Sequence, residues 1–411
     1  MNRHGFLTTG KKDECTGCEA CIQMCSHSAI RMVEDKEGFR YPAIDETKCV
    51  GCDLCRKVCP EENPAVKHER AETAFGGYIK NVAVRQESTS GGAFSAIAEA
   101  FCDENYVIFG AVADGLEVRH AYITDKSLLG VFRKSKYSQS KIGTAYKDVR
   151  RFLKEGKKVL FSGTPCQISG CLNLLDLLRT DRTRLLTVEV VCEGVPSPLY
   201  IRKYNEQLAL TKGAGIANID YRDKDTDRWD FQVMTIGLKN GKKYKKDRWF
   251  NPFWSIWLRH LMSRPSCYRC QYATPERTAD ITLGDLWGVH LYCPQLYGRN
   301  TGASLIVPNT ETGKKALDLA RRQLYGEKLD FSQALKYQGP MRNHISMNPD
   351  RNEFMSDLEN PSISITEINR RWAKRPTLKL LFSKYIWGNR QKVALWNLKH
   401  RLTGKKRPPT Q

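Results

Sequence analysis

The sequence predicts an α+β chain of mixed α/β character, built from a small cysteine-rich module, a larger mixed-sheet domain and a basic helical tail. Three observations predict this. Cys15, Cys18, Cys21 and Cys25 are spaced as are Cys49, Cys52, Cys55 and Cys59. From Thr73 onward, short apolar runs of strand length alternate with apolar stretches of helical length. From Arg370 to the last residue there are thirteen Lys/Arg and no Asp or Glu, within a chain of net charge +21.

The cysteine runs come first. Both read C-x2-C-x2-C-x3-C, and Pro60 follows the second. This spacing holds 4Fe-4S clusters in bacterial two-cluster ferredoxins, where the fourth cysteine of each run ligates the other cluster. Three cysteines two residues apart wrap one side of a cuboidal cluster. The expected sets are therefore Cys15, Cys18, Cys21 and Cys59 for one cluster, and Cys49, Cys52, Cys55 and Cys25 for the other, within a ferredoxin-like domain over residues 1–66. Gly17 and Gly51 fall between the first two cysteines of each run, where bulk would crowd a cluster. Ser26 stands where the common form has proline, which alters the turn and not the ligands. Zinc or disulfides compete as readings, but zinc ribbons use pairs of C-x2-C rather than triples. Ile30–Val33 and Phe39–Pro42 predict a hairpin around Asp35–Gly38.

The 411 residues allow two or three domains. No apolar run is long enough to span a bilayer, and Met1–Lys12 lacks the apolar stretch of a secretory signal. A cytoplasmic protein is expected. Fifteen cysteines in a reducing compartment then point to metal binding rather than disulfides. Charge is uneven: residues 1–66 carry nine basic and eleven acidic side chains.

Glu61–Glu72 reads as a linker. Beyond it, Tyr78–Val84, Val107–Val112, His120–Thr124, Lys158–Phe161, Leu186–Val191 and Ala303–Val307 predict strands. Ala93–Phe101, Lys147–Leu153, Gln167–Leu178 and Gly313–Leu324 predict helices. Residues 215–250 predict antiparallel strands with a hairpin turn at Asn240-Gly241, and Ile281–Gly288 a strand entering a glycine-rich turn.

Two turns could receive an anion at a helix start: Ser90-Gly91-Gly92 and Gly163-Thr164-Pro165. Neither matches G-x-G-x-x-G, so a nicotinamide dinucleotide fold is not supported. Cys166, Cys192, Cys267 and Cys270 sit at turns, two of them just after strands. They fit a third 4Fe-4S cluster, or equally two core cysteines beside a zinc-binding C-x2-C pair. The histidines form no metal-ligand spacing, and no P-loop or G-x-S-x-G motif is present.

In the tail, from Pro361, Pro376 can open a helix. Leu378, Leu381, Phe382, Tyr385 and Ile386 then share one face, and Leu395, Leu398 and Leu402 repeat the pattern. Such a tail suits peripheral contact with an anionic membrane surface. Packing on the body or on a partner, with the charges as a solvated face, is the commoner use of such a pattern. Trp372, Trp387 and Trp396 among basic residues would also suit nucleic acid, but no recognition module supports that partner.

Taken together, the chain resembles the coenzyme F-420 hydrogenase/dehydrogenase beta-subunit family, in the form with an N-terminal two-cluster ferredoxin domain. Six stretches between about Thr73 and Leu324 carry the likeness: Ser88–Gly92, Lys134–Ser140, Phe161–Gln167, Cys192–Ser197, Arg264–Cys270 and Ala279–Gly288. The resemblance implies that the larger domain binds FAD, with residues 73–155 and 156–345 as its two parts. It implies that Ser90, Gly91, Gly92, Ser135, Lys136, Tyr137 and Gln139 border the flavin, and that Cys166, Cys192, Cys267 and Cys270 hold a third 4Fe-4S cluster. Thr164 is carried as a candidate cofactor contact. Lys136 and Asp285 are candidates for tuning flavin electronics. The expected protein is an iron-sulfur flavoprotein oxidoreductase. It would pass electrons from a soluble ferredoxin or other redox protein to a small organic substrate. Relatives with this domain order are associated with bacterial surface-polysaccharide synthesis, although family membership names no substrate. The competing class is a non-catalytic electron-relay or adapter subunit.

Overall fold

The structure is a computed structural model that describes residues 5–224, 229–297 and 301–402. Its strands, in chain order, are β1 (Ile30–Glu34), β2 (Arg40–Ile44), β3 (Thr73–Ile79), β4 (Tyr106–Asp114), β5 (Glu117–Ile123), β6 (Lys158–Gly163) and β7 (Leu185–Val190). They continue as β8 (Ile216–Asp223), β9 (Val233–Leu238), β10 (Lys243–Lys246), β11 (Ile281–Asp285), β12 (Ser304–Pro308) and β13 (Leu324–Asp330).

Among the described residues, eight strands form one mixed sheet in the order β13-β3-β12-β11-β7-β6-β4-β5. The centre, β11-β7-β6-β4, is parallel, and the flanks are antiparallel. Parallel strands are covered on both faces, which is why they read as continuous apolar runs. The two-residue period sorts their side chains. Val107, Phe109, Val159 and Phe161 enter one buried cluster, while Ile108 and Leu160 enter the other. The first face is covered by helices Ala145–Lys154 and Pro165–Leu177, and the second by Ala93–Phe101 and Glu311–Ala320.

The cysteine module packs onto that first face. Cys18, Ala20, Cys21, Met24, Ile30 and Val58 belong to the same core as the two helices. Its hairpin pairs Ile30 with Ile44 and Glu34 with Arg40. The turn closes with the Phe39 N–H donating to Asp35 Oδ1 at 2.9 Å.

A smaller sheet, β10-β9-β8, packs with helices Pro198–Lys212, Pro252–Trp257, Arg351–Glu359 and Ile365–Trp372 around Trp254, Trp257, Phe354 and Trp372. Residues 361–372, at the start of the sequence-defined tail, therefore contribute to the body. The exposed helices begin at Leu378.

Two expected elements differ. The strand expected over Tyr78–Val84 ends at Ile79, because Asn81 caps a helical turn at Val82–Gln86 by accepting from the Val84 N–H at 3.2 Å. The helix expected to run to Leu324 stops at Ala320. Leu324 instead opens β13, which pairs along the whole of β3. No helix among the described residues is long and apolar enough to cross a membrane.

Candidate iron-sulfur and cofactor site

Tight loops position the first two cysteine sets. Gly17 and Gly51 both have φ near +70°, and Glu19 and Asp53, each following the second cysteine of a run, have φ of 61° and 65°. The repeated left-handed backbone is the structural form of the repeated sequence. Gly17 is also sterically required, since a Cβ there would lie 2.7 Å from Gln139 Nε2 and 3.0 Å from Arg264 Cζ.

Cys25, Cys49, Cys52 and Cys55 line one small surface cavity, with Cys52 exposed. Cys15, Cys18, Cys21 and Cys59 are all buried. Burial pushes the Cys18 thiol well up, and proximity to Cys59 adds to this. Burial raises Cys21 too, and Cys18, Cys15, Cys59 and, across the repeat, Cys55 add to it.

The other four cysteines meet although they come from three distant stretches. β6 ends at the turn before Cys166 and β7 at the turn before Cys192, so neighbouring parallel strands deliver both to one edge of the sheet. A 3₁₀ turn at Pro265–Arg269 brings up Cys267 and Cys270. All four line a single cavity of about 390 Å³. Burial pushes the Cys166, Cys192 and Cys267 thiols up to about 12. On their own they stay protonated, and a bound metal would be needed to hold them as thiolates. Among the described residues, no group of three or more His, Cys, Asp or Glu converges as ligands of one ion. The four thiols instead border a shared space.

The three sets lie in sequence from surface to cavity. Helix Pro165–Leu177 carries Cys166 at its start, and one turn later Gly170 packs on the first module. A Cβ on Gly170 would sit 3.3 Å from both Cys18 Sγ and Ala20 Cβ. Thr16, between Cys15 and Gly17, also lines the large cavity.

The same cavity is lined by Ser90, Gly92, Ser135, Lys136, Tyr137, Gln139, Thr164 and Asp285. Helix Ala93–Phe101 begins there behind Gly92 (φ +82°), with no side-chain cap on its first turn. Its free N–H groups face a wall rich in Ser and Thr hydroxyls and basic side chains, a donor set that fits a phosphate-bearing cofactor. Gly91 takes a different place. It is absent from the lining, its N–H donates to Ser304 Oγ at 2.9 Å, and a Cβ would collide with the Gly77 carbonyl. Its smallness lets the turn lie against the sheet.

Several candidates are already engaged. The Lys136 ammonium donates to the Phe132 and Arg133 carbonyls at 3.0 and 2.7 Å, and burial lowers its pKa to about 8. The Gln139 amide donates to the Thr16 and Gly17 carbonyls at 2.6 and 3.0 Å, fastening the first cysteine loop to the cavity wall. Thr164 closes a capping box with Gln167, its hydroxyl 3.2 Å from Cys166 Sγ. The Asp285 carboxylate pairs with Arg222 and accepts from Trp229 Nε1 at 3.3 Å.

Arg264 and Arg222 were not singled out by sequence reasoning. Both are long, charged and almost fully buried, and both line the cavity. Arg264 lay within a stretch that carried the resemblance, but nothing in the sequence marks an arginine as buried.

Comparison with known proteins places these features. Residues 14–63 match the model of a 4Fe-4S dicluster domain. Residues 156–333 match the model for the C terminus of the coenzyme F420 hydrogenase/dehydrogenase beta subunit. No curated protein matches the chain. A solved chain from the F420-reducing [NiFe] hydrogenase complex of Methanosarcina barkeri is similar at 14% identity and a TM-score of 0.42, over 74% of this chain and 91% of that one. The chain therefore joins a 4Fe-4S dicluster domain, at residues 14–63, to a segment, residues 156–333, that is similar to the C terminus of the coenzyme F420 hydrogenase/dehydrogenase beta subunit.

Proposed function

We propose that this iron-sulfur protein is a flavin-dependent oxidoreductase, with FAD in the large cavity and a third 4Fe-4S cluster on Cys166, Cys192, Cys267 and Cys270. One observation carries the reading: four cysteines from three stretches line the same cavity as an uncapped helix start and a hydroxyl-rich wall. Clusters carry electrons singly, and a flavin exchanges them in pairs with an organic substrate.

The chain's own residues divide the work. Cys52 and its set lie at the surface, where a soluble ferredoxin or similar donor can approach. The buried set and Gly170 keep the path to the cavity short and dry. Ser90, Gly92 and the first turn of helix Ala93–Phe101 offer donors to a phosphate group. Gln139 couples the first cysteine loop to the cavity wall. The Arg222–Asp285 pair closes another side. Action in the cytoplasm, on a substrate related to surface-polysaccharide synthesis, is part of the same reading.

The test is the composition of anaerobically purified protein. About twelve irons and one FAD per chain are expected. Cys166→Ser should reduce iron to about eight while leaving the signals of the two N-terminal clusters unchanged. About eight irons and no flavin in the unaltered protein would overturn the reading in favour of a relay or adapter subunit.

A further inference from the structure

A second recess lies outside the large cavity. It has a volume of about 160 Å³ and forms where the exposed tail meets the body. Trp229, Trp249 and Trp287 line it, together with Arg248, Lys384 and His290. Among the described residues, its one carboxylate is Asp230, which already accepts from Asn389 Nδ2 at 3.0 Å. Trp229 and Trp287 stack with ring centres 5.0 Å apart.

Among the described residues, three donors here lack acceptors. Among the described residues, neither the Arg248 guanidinium nor the Lys384 ammonium has a hydrogen-bond or carboxylate partner; both instead lie over Trp249, at 4.6 and 5.2 Å from the ring centre. Trp249 Nε1 is buried with no acceptor. The cations also repel one another. Burial lowers Arg248; the Glu193 carboxylate opposes this, and Arg222 adds to it by less. Burial likewise lowers Lys384, with Arg248 and Lys392 adding to this and Asp230 opposing it. Burial lowers His290 too, with Lys392 and Lys384 adding to this and Asp230 opposing it. Unmade hydrogen bonds and unbalanced charge of this kind are costly unless an anion completes the set. Arginine, lysine and an indole N–H form a donor set for an oxyanion, and the indole faces suit a ring beside it.

We propose that this recess is a binding site for a phosphate-bearing ligand with a ring next to the phosphate, held by Arg248, Lys384 and Trp249. The inference does not depend on flavin or on a third cluster. The Arg222 guanidinium lines the large cavity and lies 5.1 Å from the Trp287 ring, so one layer of side chains separates the two spaces. A ligand in the recess would lie close to the proposed reaction cavity.

The test uses the full chain with its clusters intact and follows tryptophan fluorescence during titration with inorganic pyrophosphate and with adenosine monophosphate. Saturable binding is expected, tighter for the monophosphate per phosphate group. Lys384→Gln, a change on the tail side, should weaken both by about tenfold or more. Arg248→Gln should do the same, and Arg248→Lys should keep part of the affinity, which separates lost charge from lost folding. Lys379→Gln, an exposed tail charge outside the recess, should leave binding unchanged. No saturable response to either probe, or equal affinity in Lys384→Gln and Lys379→Gln, would overturn the proposal.

Discussion

Arg264 is 1% exposed and has no carboxylate partner among the described residues. Its guanidinium donates to the Cys15 carbonyl (2.9 Å), the Arg40 carbonyl (3.0 Å) and Gln139 Oε1 (3.0 Å), lies 3.8 Å from Cys15 Sγ, and stacks 4.3 Å from the Tyr41 ring centre. A buried cation needs negative charge nearby, and a thiolate-ligated cluster at Cys15 would supply it. The cation stabilises the more negative, reduced form. Arg264→Met should therefore shift the potential of that cluster downward by on the order of 100 mV, with Arg264→Lys in between. An EPR-monitored redox titration checks this, and an unchanged potential at full iron content refutes it. His120 makes a pH prediction at the same scale. Its Nε2 lies 2.9 Å from the Ser162 carbonyl and its Nδ1 2.9 Å from Ser140 Oγ, so the ring is held neutral, and burial lowers its pKa from 6.5 to about 4. The unfolded chain then binds the extra proton between pH 6.5 and 4. Stability is full above pH 6.5 and falls by about 3 kcal/mol on acidification through that window. Denaturant melts of His120→Asn against the unaltered chain should show this slope flattened in the variant. Neither residue announces its role in the sequence, where a lone arginine or histidine carries no pattern.

At the scale of elements, the sequence was most readable where a short repeat or a strict period forces geometry. The cysteine spacing implied loops that the structure draws twice with the same left-handed residues, Gly17 with Glu19 and Gly51 with Asp53. Helix Ala93–Phe101 and the central strands followed from apolar runs that only a sheet covered on both faces requires. Legibility ended where tertiary pairing overrides local preference. β13 carries Gly326, Glu327 and Lys328, no strand pattern, yet it pairs with β3 over seven residues. The tail shows a further limit. Its apolar stripe was legible, but not that Val393 of α-helical Asn389–Leu402 would enter the core while Leu395, Leu398 and Leu402 stay exposed, as Leu378, Phe382 and Ile386 do. Exposed apolar stripes among basic residues fit an anionic lipid surface. Vesicles containing phosphatidylserine should sediment the protein, phosphatidylcholine vesicles should not, and raised salt should release it. Leu395→Ser combined with Leu398→Ser should abolish sedimentation without loss of bound iron. Failure of the unaltered chain to sediment with the anionic vesicles would assign the stripe to a protein partner instead.

At the scale of the whole molecule, the cysteine module is not a bead on a string. Composition suggested a linker at Glu61–Glu72, but the chain there is strapped down: the Ala65 N–H donates to Ser169 Oγ at 2.8 Å, the His68 N–H to the Arg277 carbonyl at 2.7 Å, and Lys67 Nζ to the Gln271 carbonyl at 2.7 Å. A larger tie crosses the module's hairpin. Arg351, buried in the body, makes a two-pronged pair with Glu37 at 2.6 and 3.2 Å and donates to the Ser263 carbonyl at 3.1 Å. Ser197 Oγ donates to the Glu37 carbonyl at 2.5 Å. The proposed electron path to the cavity would require the buried cysteine set to stay in register with Cys166, and these contacts favour that register. Arg351→Met would strand the Glu37 carboxylate without its partner, at a cost of about 3–5 kcal/mol. Glu37→Gln combined with Arg351→Met would recover much of that loss, because no charge is left buried alone. Limited trypsin digestion reads the difference at Lys67 and Arg70. The unaltered chain and the double variant should resist cleavage there, and the single variant should be cut early, releasing the module with its iron. If all three are cut at the same rate, the Glu37–Arg351 pair does not hold the two parts together, and the register must rest on the apolar core shared by Cys18, Ala20 and helix Pro165–Leu177.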